Sequence, residues 1–233
     1  MSSDEVRRFG LSMGWAYLER YDADAVAQHA AVVFRRDGRL VHVESLGTVE
    51  SGSLLCVVAD DRPGLLALVG AALLMNQLDV VEGEAHTREM PGRPDEAVDL
   101  FVVRQRDPAA YRKPVGPQQA QAVEATLRDL IAGERTPESG ETEAVPEESE
   151  TTVRFLEDKH GVLTTLEVEA SDRPGLLRAL ATALYKQDVQ IVSSLVRTRG
   201  KRVLDQFHIR ELTGEPISND RRLQIQLAVM STV

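Results

Sequence analysis

A duplication constrains the fold of this chain more than any other feature of its sequence. The hexapeptide Asp61–Leu66, with the sequence DRPGLL, returns unchanged at Asp172–Leu177, 111 residues later in a chain of 233. The match continues at the same offset and pairs Leu55, Val57, Ala59, Leu73, Val81, Thr87 and Arg88 with Leu166, Val168, Ala170, Leu184, Val192, Thr198 and Arg199. After a shift of five residues, Asp99–Phe101 also matches Asp205–Phe207. A repeat of this length indicates two copies of one domain rather than the units of a solenoid.

Each copy predicts the same order of elements, in which a strand (54–59 and 163–170) leads into the repeated turn. Pro63 and Pro174 suit the first turn of a following helix, because proline fixes φ and has no N–H to donate. Helical spacing then predicts an inward face of Leu65, Leu66, Val69 and Leu73 in the first copy and of Leu176, Leu177, Leu180 and Leu184 in the second. Two strands follow, at 79–88 and 97–104 in the first copy and at 189–199 and 202–210 in the second.

A second helix closes each copy. In the first copy it is predicted from Pro117 to Ala132, with an inward face of Val123, Leu127, Leu130 and Ile131. In the second copy the pattern is ambiguous, because alternating apolar residues from Leu223 to Val229 are typical of a strand. The repeat favours a helix from about Ser218, and we expect that helix to face inward with Leu223, Leu227 and Met230.

Each copy is also preceded by a short strand, Arg39 to Ser45 and Thr152 to Glu157, that can pair with the first core strand. The predicted fold class is therefore α+β, with two ferredoxin-like modules whose antiparallel sheets carry helices on one face. We assign residues 1–38 to an N-terminal helical segment with a helix from Trp15 to Phe34, 39–132 to the first module, and 151–233 to the second. Residues 133–150 form an acidic linker, expected to be disordered.

The charge of the chain argues against a nucleic-acid partner. The formal net charge is −10, and the linker alone holds seven Glu and one Arg, so the rest of the chain carries only about −4. A protein that binds nucleic acid needs a basic surface to neutralise phosphates. We therefore expect no nucleic-acid partner.

Other features of the sequence predict a cytoplasmic protein without a metal or other cofactor. The single cysteine, Cys56, lies in an apolar run, which indicates a buried side chain and a reducing compartment. The longest apolar run, Leu65 to Met75, is too short to span a bilayer, and no secretory signal precedes the domains. The five histidines are scattered without metal-ligand spacing, so we predict no metal site.

Three further segments give the chain a family resemblance. They are Tyr17 to Val33, Val153–Phe155 leading into Thr165–Val168, and Asp205 to Gly214. Together with the repeated turn, they resemble the tandem ACT domains that end the bacterial bifunctional uridylyltransferase/uridylyl-removing enzymes, which sense nitrogen status through glutamine. The resemblance covers most of the chain and implies two ACT-type βαββα modules with a regulatory role. The nucleotidyltransferase and metal-dependent hydrolase domains of that family have no counterpart here, so we expect no catalytic residues and no enzymatic activity.

The repeated turns are the predicted effector sites. The first N–H groups of a helix are unpaired and lie at the positive end of its dipole, which suits a carboxylate. The candidate residues are Asp60, Asp61, Arg62, Pro63, Gly64 and Leu65 in the first copy, and Asp172, Arg173, Pro174, Gly175 and Leu176 in the second. The resemblance further implies that a polar residue opening the next strand holds the ammonium group of the ligand. By alignment of the repeats, that residue is Asp79 in the first copy and Gln190 in the second.

Each of these residues also has an ordinary structural explanation. An Asp before a helix is a common cap, and Pro-Gly is a common turn. The copies differ at one position, where Asp60 in the first corresponds to Ser171 in the second. The two sites are therefore expected to differ in ligand or occupancy, unless one is vestigial.

Three classes of function remain open at this stage. The first is a regulator that binds a small amino-acid effector, glutamine by the resemblance, and acts on a separate protein. The second is an interaction or oligomerisation module without a ligand, which predicts an oligomer or complex that forms regardless of amino acids, or a regulatory part of a uridylyltransferase-type system. The expected protein partner is a second copy of the chain in a homo-oligomer or a separate regulated protein. The third, an enzyme, is the least supported, because the catalytic domains of the family have no counterpart in the sequence.

Overall fold

The structure, a computed structural model, describes residues 2–137, 151–156 and 163–233. The N-terminal segment forms α1 (Ser3–Met13), α2 (Trp15–Arg20) and α3 (Ala23–Arg36). The first copy then forms β1 (Val41–Val49), β2 (Gly52–Asp60), α4 (Leu65–Met75), β3 (Leu78–Arg88), β4 (Glu96–Gln105) and α5 (Pro117–Ala132). The second copy forms β5 (Thr152–Leu156), β6 (Thr164–Ser171), α6 (Leu176–Lys186), β7 (Val189–Arg199), β8 (Arg202–Glu211) and α7 (Asn219–Met230).

The predicted fold class is confirmed, since the structure is α+β and each copy has the order of a ferredoxin-like module. The helix predicted from Pro117 to Ala132 has those bounds, and it ends at Gly133 in the left-handed conformation. Most of the predicted acidic linker, residues 138–150, lies outside the described residues.

The described strands form one antiparallel sheet, in the order β1-β2-β4-β3-β7-β8-β6-β5. The two modules meet where β3 pairs with β7, from Glu82 opposite Arg197 to His86 opposite Ser193. Glu84 pairs with Leu195, which is its own equivalent at the offset of 111 residues. The modules are therefore related by a local two-fold axis at this pair, and they associate within one chain, a point that the sequence left open.

The repeated turns have a geometry that only glycine adopts easily. Gly64 and Gly175 precede their helices with φ of 81° and 78°, in the left-handed region where a Cβ atom is strained. The helices begin at Leu65 and Leu176. Pro63 therefore lies just before the helix and not in its first turn as predicted, because the left-handed glycine separates the two.

The helices of the modules, α4 to α7, cover one face of the sheet. The predicted inward leucines and valines of α4 and α6 are buried in one continuous core, which also contains Val123, Leu127 and Leu130 of α5. Ile131 is partly buried against the same core. The spacing of apolar residues therefore identified the buried faces of these three helices correctly.

The inward face predicted for α7 is wrong. The element is a helix, as favoured, and Ser218 caps its first turn by accepting a hydrogen bond from the N–H of Arg221. However, Ile225 and Val229 are fully buried, whereas the expected residues are exposed: Leu223 by 60%, Leu227 by 59% and Met230 by 46%. Because α7 packs mainly against α6 and the edge strand β5, it buries a narrow face. Packing selects the β-branched pair one turn apart for that face.

The N-terminal helices cover the opposite face of the first module. Phe9, Tyr17 and Val26 lie in a second core with Cys56 and Val98 of the sheet. As a result, β4 is buried almost continuously, whereas its equivalent β8 alternates between buried and partly exposed residues. The single helix predicted from Trp15 to Phe34 is divided into α2 and α3, because Asp22 caps a new helix by accepting from the N–H of Ala25 at 2.9 Å.

Candidate functional site

Two clefts lie between the modules, and each is built from both copies. The first cleft is narrow, with a cavity volume of about 30 Å³, and contains Asp61, Arg62, Gly64 and Leu65 from the first turn, together with Tyr185, Val189 and Ile191 from the second module. The second cleft, with a cavity volume of about 20 Å³, contains Asp172, Arg173, Gly175 and Leu176 from the second turn, together with Leu74, Leu78, Asp79 and Val80 from the first module. The local two-fold axis relates one cleft to the other.

The structure combines each turn with the strand opening of the other module, whereas the predicted sites combined a turn and a strand opening of the same module. Asp79, expected to serve the turn of its own copy, lies in the second cleft with Asp172. Gln190 is not among the residues that line the first cleft, and its Oε1 atom accepts a hydrogen bond from Nε of Arg210 at 3.2 Å. The pairing of β3 with β7 brings the opening of each strand to the turn of the other module, and no local pattern encodes that pairing.

Besides Gln190, three of the predicted residues line neither cleft, namely Asp60, Pro63 and Pro174. The carboxylate of Asp60 accepts a hydrogen bond from Nη2 of Arg36 at 2.7 Å, on the side of the N-terminal helices. Pro63 and Pro174 directly precede the left-handed glycines and restrict the backbone of the turns. The extra acid of the first copy thus pairs with Arg36 of α3, a helix that lies outside the repeated modules.

Two further pairs of residues line the clefts and were not predicted as site residues. Thr87 and Asp99 lie in the first cleft, and their equivalents Thr198 and Asp205 lie in the second. The sequence contained the signal, because both pairs match between the copies. Polar residues that match within apolar strands indicate a shared buried environment.

Asp61, Thr87 and Asp99 form hydrogen bonds in the first cleft, whereas Nε2 of His86 has no hydrogen-bond partner among the described residues and lies 3.5 Å from Oε2 of Glu84. The Thr87 hydroxyl lies 2.8 Å from Oδ2 of Asp61 and 3.0 Å from the backbone oxygen of Val192, so it bridges the two modules. The carboxylate of Asp99 accepts from the N–H of His86 at 3.3 Å. Burial raises the pKa of Asp61, and it raises the pKa of Asp99 well above the ordinary range, with a smaller contribution from the charge of Asp61.

The second cleft has a different hydrogen-bonding state. Asp205 is 1% exposed, and its Oδ1 atom has no hydrogen-bond partner among the described residues. The hydroxyl of Thr198 is also buried and has no partner there. Burial, with the charge of Asp172 as a smaller cause, raises the pKa of Asp205 to about 7 and that of Asp79 to about 6. The described residues offer no ion-pair partner to Asp79, Asp172 or Asp205.

A side chain from the opposite module covers the glycine of each turn. A Cβ atom added to Gly64 would lie 3.0 Å from Cδ2 of Tyr185, and one added to Gly175 would lie 3.2 Å from Cδ2 of Leu74. Tyr185 and Leu74 are equivalent positions at the offset of the repeat. A ligand that reaches the backbone of either turn must therefore move one of these two side chains.

The clefts have the chemistry of sites for a small molecule that carries an amine. Carboxyl groups and a hydroxyl can accept hydrogen bonds from an ammonium group, while N–H groups at the helix N-terminus beside them can donate to a carboxylate. Among residues 2–137, 151–156 and 163–233, no three His, Cys, Asp or Glu side chains are grouped so that they could hold a metal ion. Each described helix is too short or too polar to cross a bilayer.

The chain is similar to bifunctional uridylyltransferase/uridylyl-removing enzymes over most of its length. The enzyme of Rhodospirillum rubrum is 29% identical over 230 residues, which cover 94% of this chain and 24% of the relative. The enzyme of Gluconobacter oxydans is 27% identical over 239 residues, with 96% and 24% covered. That of a Bradyrhizobium species is 30% identical over 183 residues, with 77% and 19% covered. The resemblance predicted from the sequence motifs is thus confirmed, and the chain spans about a quarter of the length of these curated relatives.

Two other comparisons add nothing to this result. No protein-family model matches the chain. A crystal structure of an unknown protein from Galdieria sulphuraria aligns with 82% of this chain and 93% of its own, at 13% identity and a TM-score of 0.23, which is too low to support an argument.

Proposed function

We propose that this chain is a non-catalytic regulatory sensor whose two ACT-type modules bind a small amino-acid effector in the clefts between them. One observation carries the proposal: each cleft combines the turn of one module with the strand opening of the other. A ligand there contacts both modules at once. Its binding energy therefore depends on how the two modules are arranged, which is the requirement for a regulatory signal.

The chemistry of the second cleft suits an α-amino acid. The N–H of Leu176, the first residue of α6, donates to the backbone oxygen of Arg173 at 3.2 Å. The N–H groups of Leu177 and Arg178 are therefore the ones that can hold the carboxylate of the ligand. Asp79, Asp172 and Asp205 can accept hydrogen bonds from its ammonium group. The apolar side chains Leu74 and Leu177 border the remaining space and exclude water from these contacts.

The similarity to uridylyltransferase/uridylyl-removing enzymes supports a regulatory role and makes glutamine the first ligand to test. The catalytic activities named for those relatives are not part of the proposal, because the chain matches only about 24% of their length. A separate cytoplasmic protein would read the signal. A coupling of about 1–3 kcal/mol between ligand binding and module arrangement would be enough for such a signal.

The proposal is tested by thermal unfolding of the purified chain in the presence of each of the twenty amino acids. A ligand at ten times its dissociation constant should add about 1.4 kcal/mol, which for a protein of this size raises the unfolding midpoint by roughly 3–6 °C. The expected result is a selective shift with one or a few amino acids. The same shift with all twenty would indicate a solvent effect, and no shift with any of them would refute amino-acid sensing.

A second candidate function is an interaction module without a ligand. The observation in its favour is the exposed stripe of Leu223, Leu227 and Met230 on α7, at positions that share one helix face. This function predicts a self-associated protein whose assembly ignores amino acids. Analytical ultracentrifugation with and without glutamine distinguishes the two candidates, and substitution of Leu227 by Ser should weaken the assembly only if α7 forms the contact.

A further inference from the structure

The two clefts are equivalent in backbone and in most residues, yet the matched Thr and Asp side chains leave buried polar atoms unsatisfied only in the second. In the first cleft, the Thr87 hydroxyl bridges Asp61 and the backbone of Val192. In the second cleft, the equivalent hydroxyl of Thr198 has no partner among the described residues, and neither does Oδ1 of Asp205. A buried polar group without a hydrogen bond costs roughly 1–3 kcal/mol. Groups of this kind in a native protein indicate either strain or an interaction with something else.

The positions of these atoms identify what would satisfy them. Asp205 and Thr198 both line the second cleft, and Asp79 and Asp172 contribute two more carboxyl groups to its wall. Burial, with repulsion from Asp172 as a smaller cause, raises the pKa of Asp79 and Asp205, and a positive charge placed in the cleft would oppose both effects. Arg173 and Arg178 also line the cleft, so the preference for a positive charge applies to the part beside the three carboxyl groups. The cleft therefore favours a compact cation with several N–H donors.

We propose that the second cleft is the one ligand-binding site of the chain and that it holds the ammonium group of a primary amine between Asp205, Thr198 and Asp172. This inference rests on the proposed function and narrows it to one cleft and one set of contacts. An ammonium group has three N–H donors. Asp205 Oδ1 and the Thr198 hydroxyl supply two of the three acceptors, and Asp172 supplies the third.

The first cleft then has a structural role. Its Thr87 bridge joins the turn of the first module to the strand of the second, which holds the two modules together at that end of the interface. Tyr185, which covers Gly64 there, is larger than Leu74, which covers Gly175 in the second cleft. In the first cleft the matched Thr is therefore satisfied within the protein, and an aromatic ring lies over the glycine of the turn.

The test is isothermal titration calorimetry of the whole chain with L-glutamine and with any other amino acid that shifts its thermal unfolding. The expected stoichiometry is one ligand per chain. Asp205→Asn should weaken binding by about 10- to 100-fold, because it replaces a charged acceptor by a neutral amide of the same shape. The equivalent variant of the first cleft, Asp99→Asn, should leave the affinity within about twofold of the unsubstituted chain.

A matched control and a second variant keep the result interpretable. Asp37→Asn, at an exposed position in the left-handed conformation, should bind normally, and circular dichroism should show the same secondary structure for all variants. Thr198→Val removes the hydroxyl without a change of shape and should weaken binding by about tenfold. A stoichiometry of two per chain, or a loss of binding in Asp99→Asn but not in Asp205→Asn, would overturn the inference while leaving amino-acid sensing intact.

The failure of the proposed function has a separate signature. If none of the twenty amino acids binds, the chain is not an amino-acid sensor, and methylammonium chloride against sodium chloride of equal concentration becomes the probe. Stabilisation of the unsubstituted chain by methylammonium, absent in Asp205→Asn, would support the amine site on its own. Equal responses of the two proteins would refute it, since Asp205 would then be satisfied by a buried water molecule or by nothing.

Discussion

Asp205→Asn should make the unliganded protein more stable, and the gain should grow with pH. The carboxyl group of Asp205 is almost completely buried, and burial raises its pKa from an ordinary 3.8 to about 7. An acid whose pKa is raised on folding opposes folding wherever the unfolded chain is already ionised. Asparagine has the same shape but no charge to desolvate, and it can still accept a hydrogen bond from the backbone N–H of Arg197 as Asp205 does.

The sign and size of the effect follow from the two pKa values. Below about pH 4 the group is protonated in both states, so its ionisation costs nothing. Between pH 4 and pH 7 the unfolded chain releases the proton and the folded chain does not, so stability falls as pH rises. Above pH 7 the cost is constant. At 1.36 kcal/mol for each pKa unit, it amounts to about 2 kcal/mol at pH 5 and about 4 kcal/mol at pH 8.

The measurement is urea unfolding followed by far-ultraviolet circular dichroism between pH 4 and pH 8. The difference in unfolding free energy between Asp205→Asn and the unsubstituted chain should increase by about 2–3 kcal/mol from pH 5 to pH 8. The exposed control Asp37→Asn should show no such increase. Parallel pH profiles for Asp205→Asn and the unsubstituted chain would refute the reasoning, because they would mean that Asp205 is ionised in the folded protein at little cost.

Three further predictions concern single positions. Ile225→Ala should lower the unfolding free energy by about 2–4 kcal/mol and Leu223→Ala by less than about 0.5 kcal/mol, since Ile225 is fully buried and Leu223 is 60% exposed. Equal losses in urea unfolding would contradict the orientation found for α7. Gly175→Ala should lower the unfolding free energy by about 1–2 kcal/mol in the same assay, because φ there is 78° and the new methyl group would contact Leu74. An unchanged unfolding midpoint would show that the turn can relax. Cys56 should resist a thiol reagent in the folded protein and react after denaturation, since it is completely buried and burial raises its thiol pKa. Rapid labelling of the native chain would mean that the N-terminal helices open readily.

The agreement between prediction and structure was best where a residue acts locally. The bounds of α5, the positions of both hairpins and the buried faces of α4 and α6 follow from helical spacing and from the conformational limits of glycine and proline. The choice of a helix for α7 depended on the repeat, because its own residues alternate as in a strand. The same reasoning failed for the face of α7, since two apolar faces compete there and only the neighbouring elements decide between them.

The candidate site was predictable in part. The repeated DRPG turn identified Asp61, Gly64 and their equivalents, because a matched polar turn stands out against apolar strands. Thr198 and Asp205 also matched between the copies, but each reads as an ordinary strand residue until the sheet places it beside the turn. Whether these two side chains find hydrogen-bond partners depends on their distances to the turn at Asp172, roughly 30 positions earlier in the chain, and the sequence does not contain those distances.

The sequence by itself determined two modules of one kind, their elements and their turns, because dihedral preferences and the period of apolar residues are local properties. Only the tertiary structure decided which turn faces which strand. The pairing of β3 with β7 joins segments about 110 positions apart. Because its backbone hydrogen bonds depend little on side-chain identity, the residues of neither strand identify the strand with which it pairs. That pairing puts Asp79 opposite Asp172 and makes each cleft a property of both modules.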